Sequence, residues 1–422
     1  MDTRQFRPHV MIVGAGLGGL TLAAILEHTN ISYTIFEKVA QVKPLGSAVA
    51  LGANVMYMLE QLDLLEGLHA VSKFNSSAVR TYKEVSNGFQ LQMLFDYQTE
   101  IKEMFGYNGV IVSRPALYDL LLSKIPPKKM LFGKRILSHA QSDNGVMVRC
   151  ADNTTYSGDI LVGADGAYSG IRQGLYKQLD DAGMLPKPDK EPMQLTSVSI
   201  VGQTSPLDPA KFPEVEDEFC RFDTILGSNK RYLWAIFTTI DRRICWMVVE
   251  RLTSESRKVN DTFRNTEWST EAAEAMCNIV RGFPITFGKD LTLGDLIDAT
   301  PKDLISKMML DEKMYETWFG GRIALIGDGA VSAMQDACVF ANYLNTLETN
   351  NINEITKVFQ SYRDERYPVT RGAVETSMQL SKISTVSVIP ASAARQTVRF
   401  QQLTIHSLHR YRVFLAAYSA RP

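Results

Sequence analysis

The sequence predicts an α/β protein: a Rossmann-like dinucleotide-binding domain, an antiparallel β-sheet domain inserted into it, and a helical C-terminal region. Three observations predict it. A glycine-rich turn joins an apolar strand to an apolar helix at Gly14–Gly19. Two later apolar runs, Asp159–Asp165 and Gly321–Asp328, end in glycine and aspartate. Between Met193 and Glu250 the pattern shifts to short β-branched and aromatic runs separated by polar turns.

In the first crossover, Val10-Met-Ile-Val13 reads as a strand and leads into Gly14-Ala-Gly16-Leu-Gly-Gly19. Leu20–Leu26 reads as a buried helix, and a second strand, Tyr33-Thr-Ile-Phe36, ends at Glu37. Gly14 permits the tight turn, Gly16 lets backbone amides approach a pyrophosphate, and Gly19 lets the helix pack close to the strand. The helix amino terminus offers free N–H groups and a favourable dipole to phosphate. Glu37 lies 23 residues after Gly14, where a carboxylate accepts hydrogen bonds from ribose hydroxyls. It repels a 2′-phosphate, so the bound nucleotide is expected to be FAD or NAD rather than NADP. Lys38, beside it, joins the candidate cofactor-binding set.

Two strand ends favour FAD. Asp159-Ile-Leu-Val-Gly163-Ala-Asp165-Gly166 and Gly321-Arg-Ile-Ala-Leu-Ile-Gly327-Asp328 both place an aspartate at the carboxyl end of a buried strand, where ligands of such sheets bind. Asp328 there can accept a hydrogen bond from a ribityl hydroxyl of a flavin stretched across the sheet.

The middle region contains four short runs, Leu195–Val201, Arg221–Leu226, Tyr232–Thr239 and Ile244–Arg251, with turns at Ser228-Asn-Lys and Asp241-Arg-Arg. They predict an antiparallel sheet roofing the nucleotide domain, its inward face carrying aromatics such as Phe222, Trp234, Phe237 and Trp246. These rings either fill the core or line an apolar substrate pocket at the domain interface. The expected division is 8–190 with 290–350 for the FAD-binding domain, 191–289 for the sheet domain and 351–422 for the C-terminal helical region. Residues 260–287 and 301–319 read as largely helical, and 350–380 as a helix with a kink or break at Pro368. After Glu375 the chain has no acidic residue, while Lys382, Arg395, Arg399, Arg410, Arg412 and Arg421 are interleaved with apolar side chains. Such a tail suits either an anionic membrane surface, as a peripheral contact, or a partner-facing terminal helix.

Composition bounds the function. The 422 residues, at about 150 per domain, allow two or three domains. With 45% hydrophobic and 22% charged residues the chain is globular, which excludes a disordered or collagen-like protein. Lys+Arg (45) and Asp+Glu (46) cancel to a net charge of −1, so no global basic field invites nucleic acid. Cys150, Cys220, Cys245, Cys277 and Cys338 form no CxxC pair, which suits free thiols in a reducing, cytoplasmic setting. The six histidines form no metal-binding pattern, so no metal is expected. Residues 1–8 are polar and Val10–Val13 is too short for a signal sequence. No run approaches the ~18 apolar residues that span a bilayer.

These motifs together make the chain resemble the class A FAD-dependent monooxygenases, the para-hydroxybenzoate-hydroxylase-like superfamily, and within it the fungal branch that includes indole-diterpene epoxidases. The resemblance rests on Gly14–Gly19 with Glu37, on Gly46-Ser-Ala-Val-Ala-Leu-Gly-Ala-Asn54, on Ser113-Arg114-Pro-Ala-Leu-Tyr-Asp-Leu-Leu, on Asp165-Gly166 and on Gly327-Asp328. It runs over about residues 8–345. It implies that Arg114 lies near the FAD pyrophosphate and ribityl chain, and that Gly46 and Ser47 lie beside the flavin ring. It associates Asp165 and Gly166 with both FAD and NAD(P)H handling, although Asp-Gly at a strand end is also simple turn chemistry. NAD(P)H would reduce FAD as a transient visitor, and a flavin C4a-hydroperoxide would pass one oxygen atom of O₂ to an apolar aromatic or terpenoid-like molecule. The cofactor carries the hard step, so no catalytic side-chain set is required.

One departure stands out. The family continues from Gly-Asp through Ala, His and Pro to a Gly-Gln-Gly turn that opens a helix. Here the chain reads Gly327-Asp328-Gly329-Ala330-Val-Ser-Ala-Met-Gln335-Asp336-Ala337-Cys338. The helix is present and the loop is missing. That loop implies backbone N–H donors near the N1–C2 edge of the flavin, where reduced flavin carries negative charge. Without the loop the ring end is expected to be open or misplaced, and two readings follow: a monooxygenase with Gly327, Asp328, Gly329 and Ala330 among its cofactor-binding residues, or a flavin-binding, non-enzymatic homologue without turnover. An NAD-dependent dehydrogenase is a third, opposed by the two aspartate-tipped strands.

Overall fold

The computed structural model describes residues 6–383 apart from 30, 43–47, 76–77, 87, 97–101, 104, 229–230, 253–269 and 328. Its central layer is a six-stranded sheet, with strands numbered in chain order. Across the sheet they run Phe319–Gly320 (β18), Ile323–Leu325 (β19), Ile160–Gly163 (β12), His9–Val13 (β1), Ser32–Phe36 (β2) and Met130–Leu131 (β8). All seams are parallel except β18–β19. Helix α1 (Leu17–Glu27) is the crossover from β1 to β2, and Leu17 through Leu26 are all buried. A helix apolar all round must be covered all round. The sheet lies on one side of α1. Four other helices share its core: α2 (Ala53–Gln61), α4 (Arg114–Leu122), α8 (Ala330–Leu344) and α9 (Ile352–Ile383), with the short α3 (Leu65–Ala70) beside them. On the opposite face, a three-stranded antiparallel sheet and helix α5 (Gly170–Asp181) enclose Met11, Phe36, Leu161 and Leu175. That sheet is formed by β11 (Thr155–Gly158), β10 (Gly145–Cys150) and β9 (Ile136–Ser142).

The inserted layer is a seven-stranded sheet. Its order is β17 (Ser306–Glu312), β13 (Gln194–Gln203), β16 (Ile244–Arg251), β15 (Tyr232–Thr238), β14 (Phe222–Leu226), β5 (Ala78–Val85) and β6 (Gly88–Asp96). All four strands read from the sequence are present. The β15–β16 hairpin turns through Asp241 and Arg242, whose φ of 58° and 54° match the left-handed turn that continues strand twist. The sheet also reaches beyond residues 191–289. It takes β5 and β6 from the first nucleotide-domain stretch through a parallel β14–β5 seam, and β17 on its other edge. A small antiparallel sheet, β3 (Ala48–Leu51), β7 (Val110–Ser113) and β4 (Ser72–Phe74), joins the two layers.

Two readings are corrected. Residues 301–319 are not helical: a single 3₁₀ turn at Lys302–Leu304 is followed by β17. Ser-Lys-Met-Met-Leu-Asp-Glu has helix-forming composition, but pairing with β13 overrides local propensity. The four aromatics do not share one face. Trp234 and Trp246 belong to the outer core with α6 (Thr270–Val280) and α7 (Leu293–Asp298). There the Trp234 indole donates to Pro284 O (3.0 Å) and the Trp246 indole to Thr300 Oγ1 (2.9 Å). Phe222 and Phe237 stack at 5.0 Å on the other face, against Ile111 of β7 and Ala48 of β3. Trp234 and Phe237 are three apart in one strand, so the period of two puts them on opposite faces.

Helix α9 (Ile352–Ile383) runs through Pro368 without a break and packs on α8. The basic tail beyond it lies outside the described residues. Among those described, no helix is long and apolar enough to cross a membrane, no group of acidic, His or Cys side chains has a metal-binding arrangement, and all five cysteines are buried and unbridged.

Candidate functional site

The carboxyl ends of β1, β2, β12 and β19 open into one groove of about 950 Å³. Glu37, Arg114, Asp165 and Gly327 all line it, from four separate stretches of chain. Gly14, Gly16, Lys38, Gly166 and Ala330 line it too. Gly46, Ser47 and Asp328 lie outside the described residues.

The turn at Gly14 and the close packing at Gly19 are steric demands of the fold. Gly14 has φ +103°, and a Cβ there would lie 2.4 Å from Ala164 O. A Cβ on Gly19 would lie 2.0 Å from Gly14 O, so this glycine lets α1 pack against the turn and does not border the groove. A Cβ on Gly16 would meet nothing within 4 Å. Gly16 caps α1 without a side-chain hydrogen bond, leaving the helix N–H groups facing open space.

Glu37 braces this turn. One carboxylate oxygen accepts from Ala15 N (2.9 Å), the other from Val39 N (3.0 Å). Each oxygen keeps a second lone pair for an incoming hydroxyl. Arg114 is the first residue of α4, which Ser113 caps by accepting from Ala116 N (3.3 Å). Burial lowers the Arg114 pKa from its ordinary value, with Tyr118 opposing that shift. The Tyr118 hydroxyl is pushed up to about 12 by burial, with Glu37 adding to the rise.

Asp165 has a structural task. Its Oδ2 accepts from Gly170 N (2.7 Å) and Ile171 N (3.3 Å), and its Oδ1 accepts from Ser169 Oγ (2.5 Å). The carboxylate therefore caps α5 and holds the turn in which Gly166 has φ +84°. Asp165→Ala is expected to cost about 1–2 kcal/mol of unfolding free energy, measurable by urea denaturation of the cofactor-free protein, with Asp165→Asn in between.

At the far end, β19 passes into α8 through Gly329, an N-cap in extended conformation whose carbonyl accepts from Ala333 N (2.6 Å). Helix α8 packs closely on α1: a Cβ on Gly18 would lie 2.8 Å from the Ala333 Cβ. Behind Gly327 lies a second chamber of about 230 Å³, sharing Gly166 and Gly327 with the groove. Its walls include Arg172 and Lys313, both over the Tyr315 ring, together with Tyr176 and Trp318.

Sequence reasoning missed part of this wall. Lys134, Arg135, Ile136 and His139 line the groove from β9 and the turn before it. No motif marks them, because their place follows from the pairing of β9 with β10. It also missed Asp336, fully buried in α8 and paired with Arg366 of α9 at 2.6 Å. A signal existed: an aspartate inside an otherwise apolar helix rarely stays buried without a partner.

A family model for the FAD binding domain matches residues 7–216. The FAD-dependent monooxygenase ptmM of Penicillium ochrochloron is 28% identical over 394 residues, which is 87% of each chain. The FAD-dependent monooxygenase andE of Emericella variicolor is 29% identical over 357 residues, 81% of this chain and 71% of that one. Over most of its length the chain is similar to FAD-dependent monooxygenases, and it is an enzyme of that kind. Its fold matches that of Klebsiella pneumoniae HpxO complexed with FAD and uric acid, at a TM-score of 0.69 and 18% identity over 98% of this chain and 97% of that one.

The monooxygenase takes FAD as its cofactor, and the residues present fit the nucleotide part of that molecule. The space where a Gly16 Cβ would sit is open while the neighbouring glycines are closed. Two uncapped helix amino termini, those of α1 and α8, meet the same groove. Thiol chemistry has no support here: burial pushes Cys220 and Cys338 up to about 12.

Proposed function

We propose that this monooxygenase, reduced by NAD(P)H, transfers one atom of O₂ to an apolar aromatic or terpenoid-like small molecule and releases the other as water. The observation that carries the reading is the packing of one face of the seven-stranded sheet on β7, the strand that runs directly into Arg114 of the nucleotide groove. The face opposite the tryptophan core holds Phe222, Phe237, Ala235, Met247, Thr224 and Ser199 by strand register. Its Phe222–Phe237 end packs on β3 and β7, the strands next to Ser47 and Arg114. A half-apolar face with hydroxyls suits a hydrophobic skeleton held beside the cofactor.

Bound FAD supplies the activation of dioxygen and the oxygen transfer. The chain supplies position and dryness. Gly14, Gly16 and the amino terminus of α1 hold the pyrophosphate, Glu37 the adenosine ribose, and Arg114 the pyrophosphate and ribityl chain. Lys38 would face the adenosine end, and Gly166, Gly327, Gly329 and Ala330 would close the other wall. The sheet face excludes water from the reacting atoms.

The direct join at Gly329 favours a second reading, a flavin-binding homologue without turnover. Purified protein separates them. The leading reading expects a yellow protein with bands near about 370 and 450 nm that NAD(P)H bleaches anaerobically. A yellow protein that NAD(P)H never bleaches supports the second reading. Colourless protein that refuses added FAD overturns both.

A further inference from the structure

We infer that the buried pair Asp336–Arg366 is a positioning device for FAD: it holds the tip of β19, through Gly327, at the height the cofactor groove requires. Asp336 is fully buried and Arg366 is 2% exposed. One carboxylate oxygen of Asp336 accepts from Arg366 Nε (2.6 Å), and the other accepts from Gly327 N (2.9 Å). Arg366 also donates to Gln335 Oε1 (3.2 Å), gripping two consecutive residues of α8. One helical turn earlier, the buried Tyr362 hydroxyl donates to Leu325 O (3.1 Å). Helix α9 thus holds the end of β19 at two levels, directly at Leu325 and through Asp336 at Gly327.

The position of Gly327 matters because it is the partition between the groove and the chamber behind it. It is packed hard onto the clamp: a Cβ there would lie 2.9 Å from Asp336 Oδ2. The strand ends at Leu325 and α8 begins at Ala330, so few residues remain to set the wall by themselves. Gly327 N–H would otherwise project from the strand end with no ladder partner, and the carboxylate fixes its direction. The arginine keeps that carboxylate charged and in place, since a buried anion without a partner takes a proton or moves toward water.

A purely structural ion pair and a positioning clamp make different predictions. A buried pair replaced by apolar residues of similar volume often loses no stability. The clamp has a second function that apolar residues lack, the acceptor for Gly327 N–H. Three variants therefore separate the two, with the apo-protein melting temperature and the FAD dissociation constant from flavin fluorescence quenching both recorded. Arg366→Met strands the carboxylate and is expected to weaken FAD binding by about tenfold or more. Asp336→Asn with Arg366→Met removes the charge and keeps a carbonyl acceptor, and is expected to return to within about threefold of the parent. Asp336→Leu with Arg366→Met removes the acceptor as well, and is expected to stay about tenfold weak even where its melting temperature has recovered. If the leucine–methionine protein binds FAD as tightly as the parent, the pair is structural only and the inference falls. The same follows if the asparagine–methionine protein folds but binds no better than the leucine one. Should Arg366→Met fail to fold, the two double variants still decide.

Discussion

Gly14→Ala and Gly16→Ala, two residues apart in one turn, are expected to fail in opposite ways. At Gly14 the new Cβ meets Ala164 O at 2.4 Å, and φ of +103° is strained for any L side chain. Neither neighbour can yield, because Gly14 N donates to Phe36 O (2.8 Å) and Ala164 N donates to Val13 O (2.8 Å). The variant is expected to lose about 3 kcal/mol or more of stability before any cofactor is added. At Gly16 the backbone is relaxed, with φ −72°, and the Cβ enters empty space. Stability of the apo-protein is expected to fall by no more than about 1 kcal/mol, the cost of alanine at an N-cap. FAD affinity is expected to fall by about 2 kcal/mol or more, some thirtyfold, because the methyl occupies the space the pyrophosphate needs. Urea denaturation of both apo-proteins and FAD titration of Gly16→Ala check the pair. A Gly16→Ala protein with parental FAD affinity would show that the nucleotide does not cross this turn.

Arg322→Met is expected to give the largest loss of stability away from the groove. Arg322 is fully buried, and its guanidinium faces carbonyls rather than a carboxylate. Nε donates to Ser142 O (3.0 Å), Nη1 to Asp159 O (3.1 Å) and Asn350 Oδ1 (2.7 Å), and Nη2 to Asn350 O (2.9 Å) and Asp143 O. One side chain thus ties the β9–β10 turn, the start of β12 and the segment before α9 to β19. Methionine fills the space but orphans those carbonyls together, so a cost of about 3–5 kcal/mol is expected. Arg322→Lys has too few donors and too different a shape to span them, and is expected to recover less than half of it. Denaturation midpoints of the apo-proteins read this directly. A loss below about 1 kcal/mol would mean that water satisfies the carbonyls instead.

The first crossover was legible because its signals are local. Strand, glycines, helix and acid follow one another within the span from Val10 to Glu37, and each residue type is demanded by a backbone angle or a close approach in the same unit. Strands β13 to β16 were legible for the same reason, since alternation and turn residues lie next to each other in the chain. Strand β17 was not, because its residues favour a helix and only its partner β13 makes it a strand. The addition of β5 and β6 to the far edge of the same sheet has no local signature either. For Asp165 the sequence left cofactor handling and turn chemistry open, and three hydrogen bonds to the start of α5 show the carboxylate at work in the turn.

From the sequence alone came the nucleotide fold, the flavin, the division of labour among Gly14, Gly16 and Gly19, and the short join after Gly327, since short-range steric demands write themselves into adjacent residues. Tertiary structure alone decided which face of the sheet packs on β3 and β7, how Arg322 and the Asp336–Arg366 pair are satisfied, and which parts of β9 wall the groove. Those outcomes depend on partners as far apart as Ser142 and Arg322. A buried charge or a paired strand is stable only once its distant complement has arrived.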